Sequence, residues 1–173
     1  MQSGVTALGL VFVLSVSVVV PSLAQATTGR AAVAFQGAYR GTASMPGTGL
    51  PMREKIVAVG RAALLGVSTL RSTATSAPPN PGGCIAFSGR GRLTTAGGSW
   101  LTYRYSYVPC FRPSPPFPHD TGRGHYTITG GGGRLRGARG NGTYVARFPN
   151  NPSGFQAPPG EITITFRGSL RTP

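Results

Sequence analysis

Three carboxylates are the only acidic side chains in this sequence, and their positions do not suggest a catalytic pair. They are Glu54, Asp120 and Glu161 in a chain of 173 residues. General acid/base chemistry needs a titratable group within hydrogen-bond reach of the reacting atom, and none of the three falls on a predicted strand face beside a second titratable partner. The serines have no nearby base and no sharp turn that would expose a nucleophile. We therefore predict no catalytic residues, and a protein that is not an enzyme is the favoured interpretation.

His119, Asp120 and His125 have the residue types of a site with two histidines and one carboxylate, which holds metals such as iron. Adjacent side chains of an extended chain point in opposite directions, so His119 and Asp120 diverge. The surrounding segment is also rich in proline. We predict a solvated loop here, with no metal and no cofactor.

The N-terminal segment has the features of a cleavable export signal. Val5 to Val20 is almost wholly apolar, and Ala24-Gln25-Ala26 offers small residues at the cleavage spacing. The apolar run is shorter than the roughly 20 residues that span a bilayer, and Pro21 ends it; a retained anchor is the alternative. The predicted organisation is a signal peptide over 1–26, a short tail over 27–30 and one secreted, extracytoplasmic domain over 31–173, with no transmembrane segment after cleavage.

Cys84 and Cys110 are the only cysteines, and an oxidising compartment favours their pairing. A three-residue hairpin loop at Ala96-Gly97-Gly98 sets Thr95 opposite Ser99, and the same register sets Cys84 opposite Cys110. A two-residue Gly97-Gly98 turn would instead set Cys84 opposite Phe111. The first register predicts a disulfide at the open end of the hairpin.

The same register predicts which side chains face inward. It pairs Phe87 with Tyr107, Gly89 with Tyr105 and Gly91 with Tyr103, so that aromatic rings lie over the glycines opposite them. This face is core or cavity wall, and ordinary core packing is the alternative to ligand binding. The candidates for lining a ligand cavity are Phe35, Tyr39, Phe87, Tyr103, Tyr105 and Tyr107.

The positive charge raises the question of an anionic partner. Seventeen basic residues against three acidic ones give a net charge of +14, which is typical of proteins that bind polyanions. One lysine against 16 arginines is also what a GC-rich coding sequence produces, so codon composition is the alternative. The register places Arg90 opposite Arg104, a like-charge pair that costs some stability. The polyanion-binding candidates are Arg90, Arg92, Arg104, Arg134, Arg136 and Arg139.

Short runs rich in Val, Ile, Thr, Tyr and Phe recur between clusters of Gly, Pro, Asn and Ser, which is typical of an all-β chain. About eight strands without a capping helix favour a single antiparallel β-barrel over a sandwich. The proline-rich stretches 77–83, 109–124 and 149–160 are predicted to be loops. The predicted strands are 31–42, two strands within 53–73 that bend near Gly60 or Gly66, the two arms of the hairpin, and then 126–129, 142–148 and 161–170.

The segment from Ile128 to Gly142 reads ITGGGGRLRGARGNG. It resembles the glycine-rich signature of plant dirigent proteins and of bacterial secreted proteins in the allene oxide cyclase barrel-like group. Gly130, Gly131, Gly133, Arg136, Ala138, Arg139 and Gly140 match that signature, whereas Gly132 replaces a threonine and Leu135 a phenylalanine. The hairpin GRLTTAGGSWL is similar to a hairpin of the bacterial group. The resemblance implies an eight-stranded antiparallel barrel with a central cavity.

Three functions remain open from the sequence. The leading one is a non-catalytic secreted barrel that binds a small apolar or aromatic molecule or acts as an envelope-associated module. The second is a basic surface protein that binds polyanions, either an acidic envelope glycopolymer or nucleic acid. The third, a cyclase or isomerase acting in the cavity, is disfavoured by the scarcity of acids. The sequence names neither a ligand nor an oligomeric state.

Overall fold

The computed structural model describes residues 31–46, 49–110, 120–149 and 160–173. Eight β-strands and one short 3-10 helix account for most of them. In chain order they are β1 (Val33–Ser44), β2 (Arg53–Ala62), β3 (Gly66–Ser76), β4 (Phe87–Thr95), β5 (Trp100–Val108), β6 (Asp120–Gly132), the 3-10 helix (Gly133–Leu135), β7 (Arg139–Phe148) and β8 (Gly160–Arg171).

The strands close into one antiparallel barrel in sequence order. Each strand pairs with the next, and β1 also pairs with β8, with Val33 opposite Leu170. Buried and exposed residues alternate along the strands, because successive side chains of a strand point to opposite faces. Closure leaves no free sheet edge. The predicted all-β, eight-stranded barrel is therefore confirmed.

The hairpin between β4 and β5 has the predicted register. The Thr95 amide donates a 2.9 Å hydrogen bond to the Ser99 carbonyl, and Gly98 adopts a positive φ of 78°, which closes a three-residue loop. Cys84 pairs with Cys110 across the open end. The two cysteines form a disulfide with their Cα atoms 4.0 Å apart, as predicted.

Several strand bounds differ from the sequence prediction. Residues 120–124 were expected to belong to a loop, but β6 already begins at Asp120 and pairs there with Phe148 of β7. Glycine and proline content suggested a loop, whereas pairing with β7, and from Arg123 onward also with β5, imposes a strand. β7 likewise begins at Arg139 rather than at residue 142.

The glycine-rich segment turns the chain between β6 and β7. Gly133 and Gly137 adopt positive φ angles of 62° and 73°, a region that glycine enters without the Cβ penalty. Only the three-residue 3-10 helix Gly133–Leu135 follows the glycine run, whereas a phosphate-cradling loop requires a longer helix after it. Gly133 and Gly137 therefore allow the chain to turn sharply between β6 and β7.

The barrel interior has two unlike sides. The inward positions of β2 and β3 carry many small residues and no aromatic ones, whereas large aromatic rings come from β1 and from β4 to β8. The small inward residues on β2 and β3 are Ala58, Ala62, Ser68, Ser72, Ala74 and Ser76. Aromatic rings therefore have room to extend across the barrel axis toward the small side.

Candidate functional site

All six predicted cavity-lining side chains lie in the barrel interior. Phe35, Tyr39, Phe87, Tyr103, Tyr105 and Tyr107 are each no more than 4% exposed. Tyr126, Tyr144, Phe148 and Phe166 join them from β6, β7 and β8. These four could not be predicted from the sequence, because no short hairpin loop fixed the register of their strands.

The rings contact one another across the interior. Tyr105 stacks on Tyr144 with ring centroids 4.8 Å apart. Phe166 contacts several of these rings. Its ring centroid is 5.1 Å from that of Tyr126 and 5.2 Å from that of Tyr103, both in edge-to-face arrangements. Such geometries are favoured by the aromatic quadrupole. In the described residues the middle of the barrel is thus occupied by aromatic side chains.

Glycines make room for these rings at two positions. A Cβ on Gly91 would overlap the Tyr103 ring, and a Cβ on Gly122 would overlap the Tyr107 ring. The prediction that rings lie over facing glycines is therefore correct for Gly91. It is wrong for Gly89, whose absent side chain leaves room for the β3 backbone instead.

A buried carboxyl group lies among the tyrosines. Glu54 has no exposed surface, and the Tyr107 hydroxyl donates a 2.6 Å hydrogen bond to its Oε1 atom. The expectation that no carboxylate has a titratable partner on a strand face is therefore wrong. Along β2 both faces contain apolar residues: Ile56 and Ala58 share the face of Glu54, and valines lie on the other. Hydrophobicity alone could not decide which face turns inward.

Burial controls the protonation of this cluster. It raises the pKa of Glu54 to about 7, while the hydrogen bond from Tyr107 opposes that rise. It also raises the pKa of Tyr126 to about 12 and that of Tyr107 well above its ordinary value. Removing these groups from water disfavours their charged forms. The tyrosines therefore remain neutral hydrogen-bond donors at physiological pH.

The polar atoms of the interior are unevenly satisfied. The Tyr39 and Ser68 hydroxyls share a 2.7 Å hydrogen bond, and the Tyr105 hydroxyl donates to Ser72 Oγ at 3.3 Å. In contrast, Glu54 Oε2 and the hydroxyls of Tyr103, Tyr126 and Tyr144 are buried without a protein partner. Buried polar groups without partners are rare in folded proteins, so these four atoms mark where a further polar group would be stabilised.

The Glu54–Tyr107 pair has a defined place along the barrel axis. Glu54 is the second residue of β2 and Tyr107 the penultimate residue of β5, so both lie at one end. Strands β1, β3, β5 and β7 also finish at this end, and the disulfide lies beside it. The opposite end has the short connections, including the Ala96-Gly97-Gly98 loop.

The predicted polyanion-binding arginines separate into two groups. Arg90, Arg92 and Arg104 are exposed on the outer wall of β4 and β5, and Arg90 lies opposite Arg104 as predicted. They line one groove together with Lys55 and Arg71. The second group, which does not line that groove, lies around the connection of β6 to β7 and comprises Arg134, Arg136 and Arg139.

Lys55 and Arg71 were not among the sequence candidates. They lie on β2 and β3, whose alignment with β4 depends on the long connection before Phe87. Successive residues of β2 point to opposite faces, so the position of Glu54 inside the barrel places Lys55 outside. This alternation is the one sequence signal that could have identified Lys55.

The structure describes one of the three side chains that were considered as metal ligands. His119 lies outside the described residues, as does the side chain of Asp120, and His125 is exposed on the outer wall. Within the described ranges no three potential ligands come together to hold a metal ion. The predicted signal peptide, the cleavage site and the tail 27–30 also lie outside the described residues. No helix in the described part is long and apolar enough to cross a membrane.

Comparisons with protein-family models, with curated proteins and with solved structures find no match to this chain.

Proposed function

We propose that the protein binds a small aromatic molecule carrying polar substituents inside its β-barrel. The observation that carries this proposal is the set of unpartnered polar atoms buried in an aromatic interior, namely Glu54 Oε2 and the hydroxyls of Tyr103, Tyr126 and Tyr144. An eight-stranded barrel is wide enough either to be filled by side chains or to hold one small ligand. The aromatic walls favour a flat apolar body, and the unpartnered atoms favour polar groups on it.

The energetic argument rests on hydrogen bonding. A buried donor or acceptor without a partner destabilises the fold by about 1 to 3 kcal/mol, so a ligand that satisfies several of them gains affinity beyond its apolar contact. Glu54 Oε2 accepts hydrogen bonds when the carboxyl is ionised, while the three tyrosine hydroxyls can donate. A phenol or an aromatic amine offers complementary groups.

The position of Glu54 suggests the route of access. It lies at the barrel end that carries the disulfide, and its partner Tyr107 stacks on Phe87 with ring centroids 5.3 Å apart. Because rings occupy the interior, a ligand must displace ring contacts, and Tyr107 and Phe87 are among the rings at that end, together with Phe148. Ligand binding should therefore change the environment of Tyr107 before that of Tyr39.

The disulfide supports an extracytoplasmic location as part of this proposal, since such bonds persist in oxidising compartments. The apolar N-terminal segment then serves as the export signal. Mass spectrometry of the exported protein should find Thr27 or an adjacent residue as its first, and an intact N-terminus would contradict the proposal of export by cleavage.

The test of binding is a titration of the protein with a panel of small phenols and aromatic amines, monitored by near-ultraviolet circular dichroism of the tyrosines. We expect saturable changes with the wild type and weaker binding with Tyr144→Phe, which removes an unpartnered hydroxyl. Tyr39→Phe is the matched control, because the Tyr39 hydroxyl is already paired with Ser68. Absence of saturable binding across the panel, or equal weakening in both variants, would contradict the proposed site.

A second candidate function, isomerisation within the cavity, rests on Glu54 itself. A carboxyl group with a pKa near 7 beside a neutral tyrosine hydroxyl suits proton transfer at a carbon next to a carbonyl. The scarcity of acids had counted against this function, and the buried glutamate removes that argument. Conversion of a β,γ-unsaturated cyclic ketone to its conjugated isomer, lost in Glu54→Gln, would support it; equal conversion by the wild type and the variant would contradict it.

A further inference from the structure

A groove of about 550 Å³ crosses the outer wall of the barrel over β2 to β6. Five of its lining residues are cations, and its three threonines add hydroxyl groups. The cations are Lys55, Arg71, Arg90, Arg92 and Arg104, and the threonines are Thr73, Thr102 and Thr129. We infer that this basic groove binds an acidic polysaccharide, independently of any ligand in the barrel interior.

Like charges face each other directly within the basic groove. Arg71 is paired in register with Arg92 between β3 and β4, and Arg90 with Arg104 between β4 and β5. Like charges at directly opposite positions destabilise a sheet, and here two such pairs share the central strand β4. An anion between the guanidinium groups would convert this repulsion into attraction.

No carboxylate on the described outer wall offsets these charges. Glu54 is adjacent to Lys55 in sequence but points into the barrel. Glu161 forms an ion pair with Arg40 on the β1–β8 side, away from the groove lining. The basic groove is therefore uncompensated within the described chain, and its charge is available to an anionic molecule.

The arrangement of the cations suits a chain of repeated anionic groups better than a single ion. Outward residues two apart on a strand are about 6.8 Å apart, and neighbouring strands are about 4.8 Å apart. Lys55 on β2 and Arg104 on β5 therefore mark a strip about 15 Å wide. Several anionic groups on one polymer can each meet a different guanidinium, which binds carboxylate, sulfate or phosphate through paired hydrogen bonds.

The surroundings favour a polysaccharide over a nucleic acid. Proteins that bind single strands offer exposed aromatic rings on which bases stack. Among the described residues, Trp100 is the one aromatic side chain that is not buried, and the Arg92 guanidinium already covers it at 4.3 Å from the ring centroid. The threonine hydroxyls instead suit the hydroxyl groups of sugars.

The test compares two variants that lose the same charge. The groove variant carries Arg71→Gln, Arg90→Gln, Arg92→Gln and Arg104→Gln. The control variant carries Arg61→Gln, Arg134→Gln, Arg136→Gln and Arg171→Gln, which are exposed positions that line neither the basic groove nor the second groove that contains Arg123, Arg147 and Arg167. Binding is measured by calorimetry in about 0.15 M salt, where long-range attraction between exposed charges is screened. The probes are heparin and polygalacturonate, with single-stranded oligo-dT and phosphatidylglycerol vesicles as competing classes.

We expect the groove variant to bind heparin and polygalacturonate on the order of six-hundredfold more weakly than the wild type, since each of its four lost cations contributes about fivefold at an anionic surface. The control variant should lose much less. Equal loss in both variants would show that net charge alone is responsible and would overturn the proposal. So would tighter binding of oligo-dT or of the vesicles than of either polysaccharide.

Folding of the groove variant is checked separately. Because it removes both opposed arginine pairs, its unfolding midpoint should equal or exceed that of the wild type. If the fourfold variant does not fold, the single variants Arg90→Gln and Arg71→Gln take its place against Arg61→Gln. Each groove substitution should then weaken polysaccharide binding several-fold, and no difference from Arg61→Gln would overturn the proposal.

Discussion

Tyr107 donates a 2.6 Å hydrogen bond to Glu54 Oε1 in the closed interior of the barrel. The two residues are 53 positions apart in sequence and come from strands β2 and β5, which do not pair with each other. The bond therefore forms only when side chains meet across the barrel. It joins a buried acid to the tyrosine row, and it makes the stability of the fold sensitive to pH.

The first prediction concerns this pH dependence. Burial raises the pKa of Glu54 from 4.5 to about 7, so the folded state holds a proton that the unfolded state releases between these values. The contribution of Glu54 is fully present below about pH 4.5 and is lost as the pH rises through 7, a decrease on the order of 3 kcal/mol. Urea unfolding at several pH values should show this decrease.

Glu54→Gln, which keeps the shape but does not titrate, should remove most of that decrease. The matched control is Glu161→Gln, because Glu161 forms its ion pair on the outer wall and should leave the decrease in place. A Glu54→Gln variant with the same pH profile as the wild type would contradict the buried titration.

The second prediction compares two tyrosine hydroxyls. Tyr144→Phe removes a buried hydroxyl that has no partner, so the free energy of unfolding should stay the same or rise by about 1 kcal/mol. Tyr39→Phe removes a hydroxyl that is hydrogen-bonded to Ser68, so the free energy of unfolding should fall by about 1 kcal/mol. Chemical denaturation of both variants decides the point, and loss of stability in Tyr144→Phe would mean that its hydroxyl is already satisfied.

The third prediction tests the glycine beside the Tyr107 ring. In Gly122→Ala the new methyl group overlaps that ring, and overpacking of this kind destabilises a core by about 1 to 3 kcal/mol. Gly97→Ala is the control, because its Cβ would meet only Thr95 Oγ1 at 3.9 Å. Thermal unfolding of both variants gives the comparison; equal midpoints would show that the ring yields without strain. Because the added methyl group displaces the Tyr107 ring, the hydrogen bond from Tyr107 to Glu54 should also weaken. The pH dependence of the free energy of unfolding should then change.

The local sequence pattern was sufficient to predict one part of this fold, the hairpin of β4 and β5. The Ala96-Gly97-Gly98 loop sets the register of β4 and β5, and that single register places the tyrosine row, the Arg90–Arg104 pair and the two cysteines. Hairpin residues are close in sequence, so turn chemistry determines their pairing. The closed barrel followed from the number and spacing of strands.

The remainder depends on contacts that no short segment contains. Glu54 lies inside because β2 pairs with β1 and β3 in one particular register, although both faces of β2 carry apolar residues. Arg71 reaches Arg92 only after the long connection between β3 and β4 has been crossed. The start of β6 at Asp120 was missed because glycine and proline suggested a loop, while pairing with β7 imposes a strand. Each of these features is set by pairing between strands.

The fourth prediction is that the Cys84–Cys110 bond stabilises the barrel against unfolding. The cysteines are 26 positions apart, and closing a loop of this length in the unfolded chain is worth about 3 to 4 kcal/mol on the chain-entropy account. A Cys84→Ala, Cys110→Ala double variant should lose this amount with an otherwise unchanged hairpin, because the backbone amide of Ile85 still bonds to Pro109 O at 3.0 Å. For a domain of this size the unfolding midpoint should fall by roughly 6 to 16 °C, at about 2 to 4 °C per kcal/mol.

Unfolding with and without a reducing agent provides the measurement. The midpoint of the reduced wild type should fall to that of the double variant, whose own midpoint should not respond to reduction. A wild type whose midpoint is unchanged by complete reduction would show that the unfolded chain gains little freedom when the bond is broken.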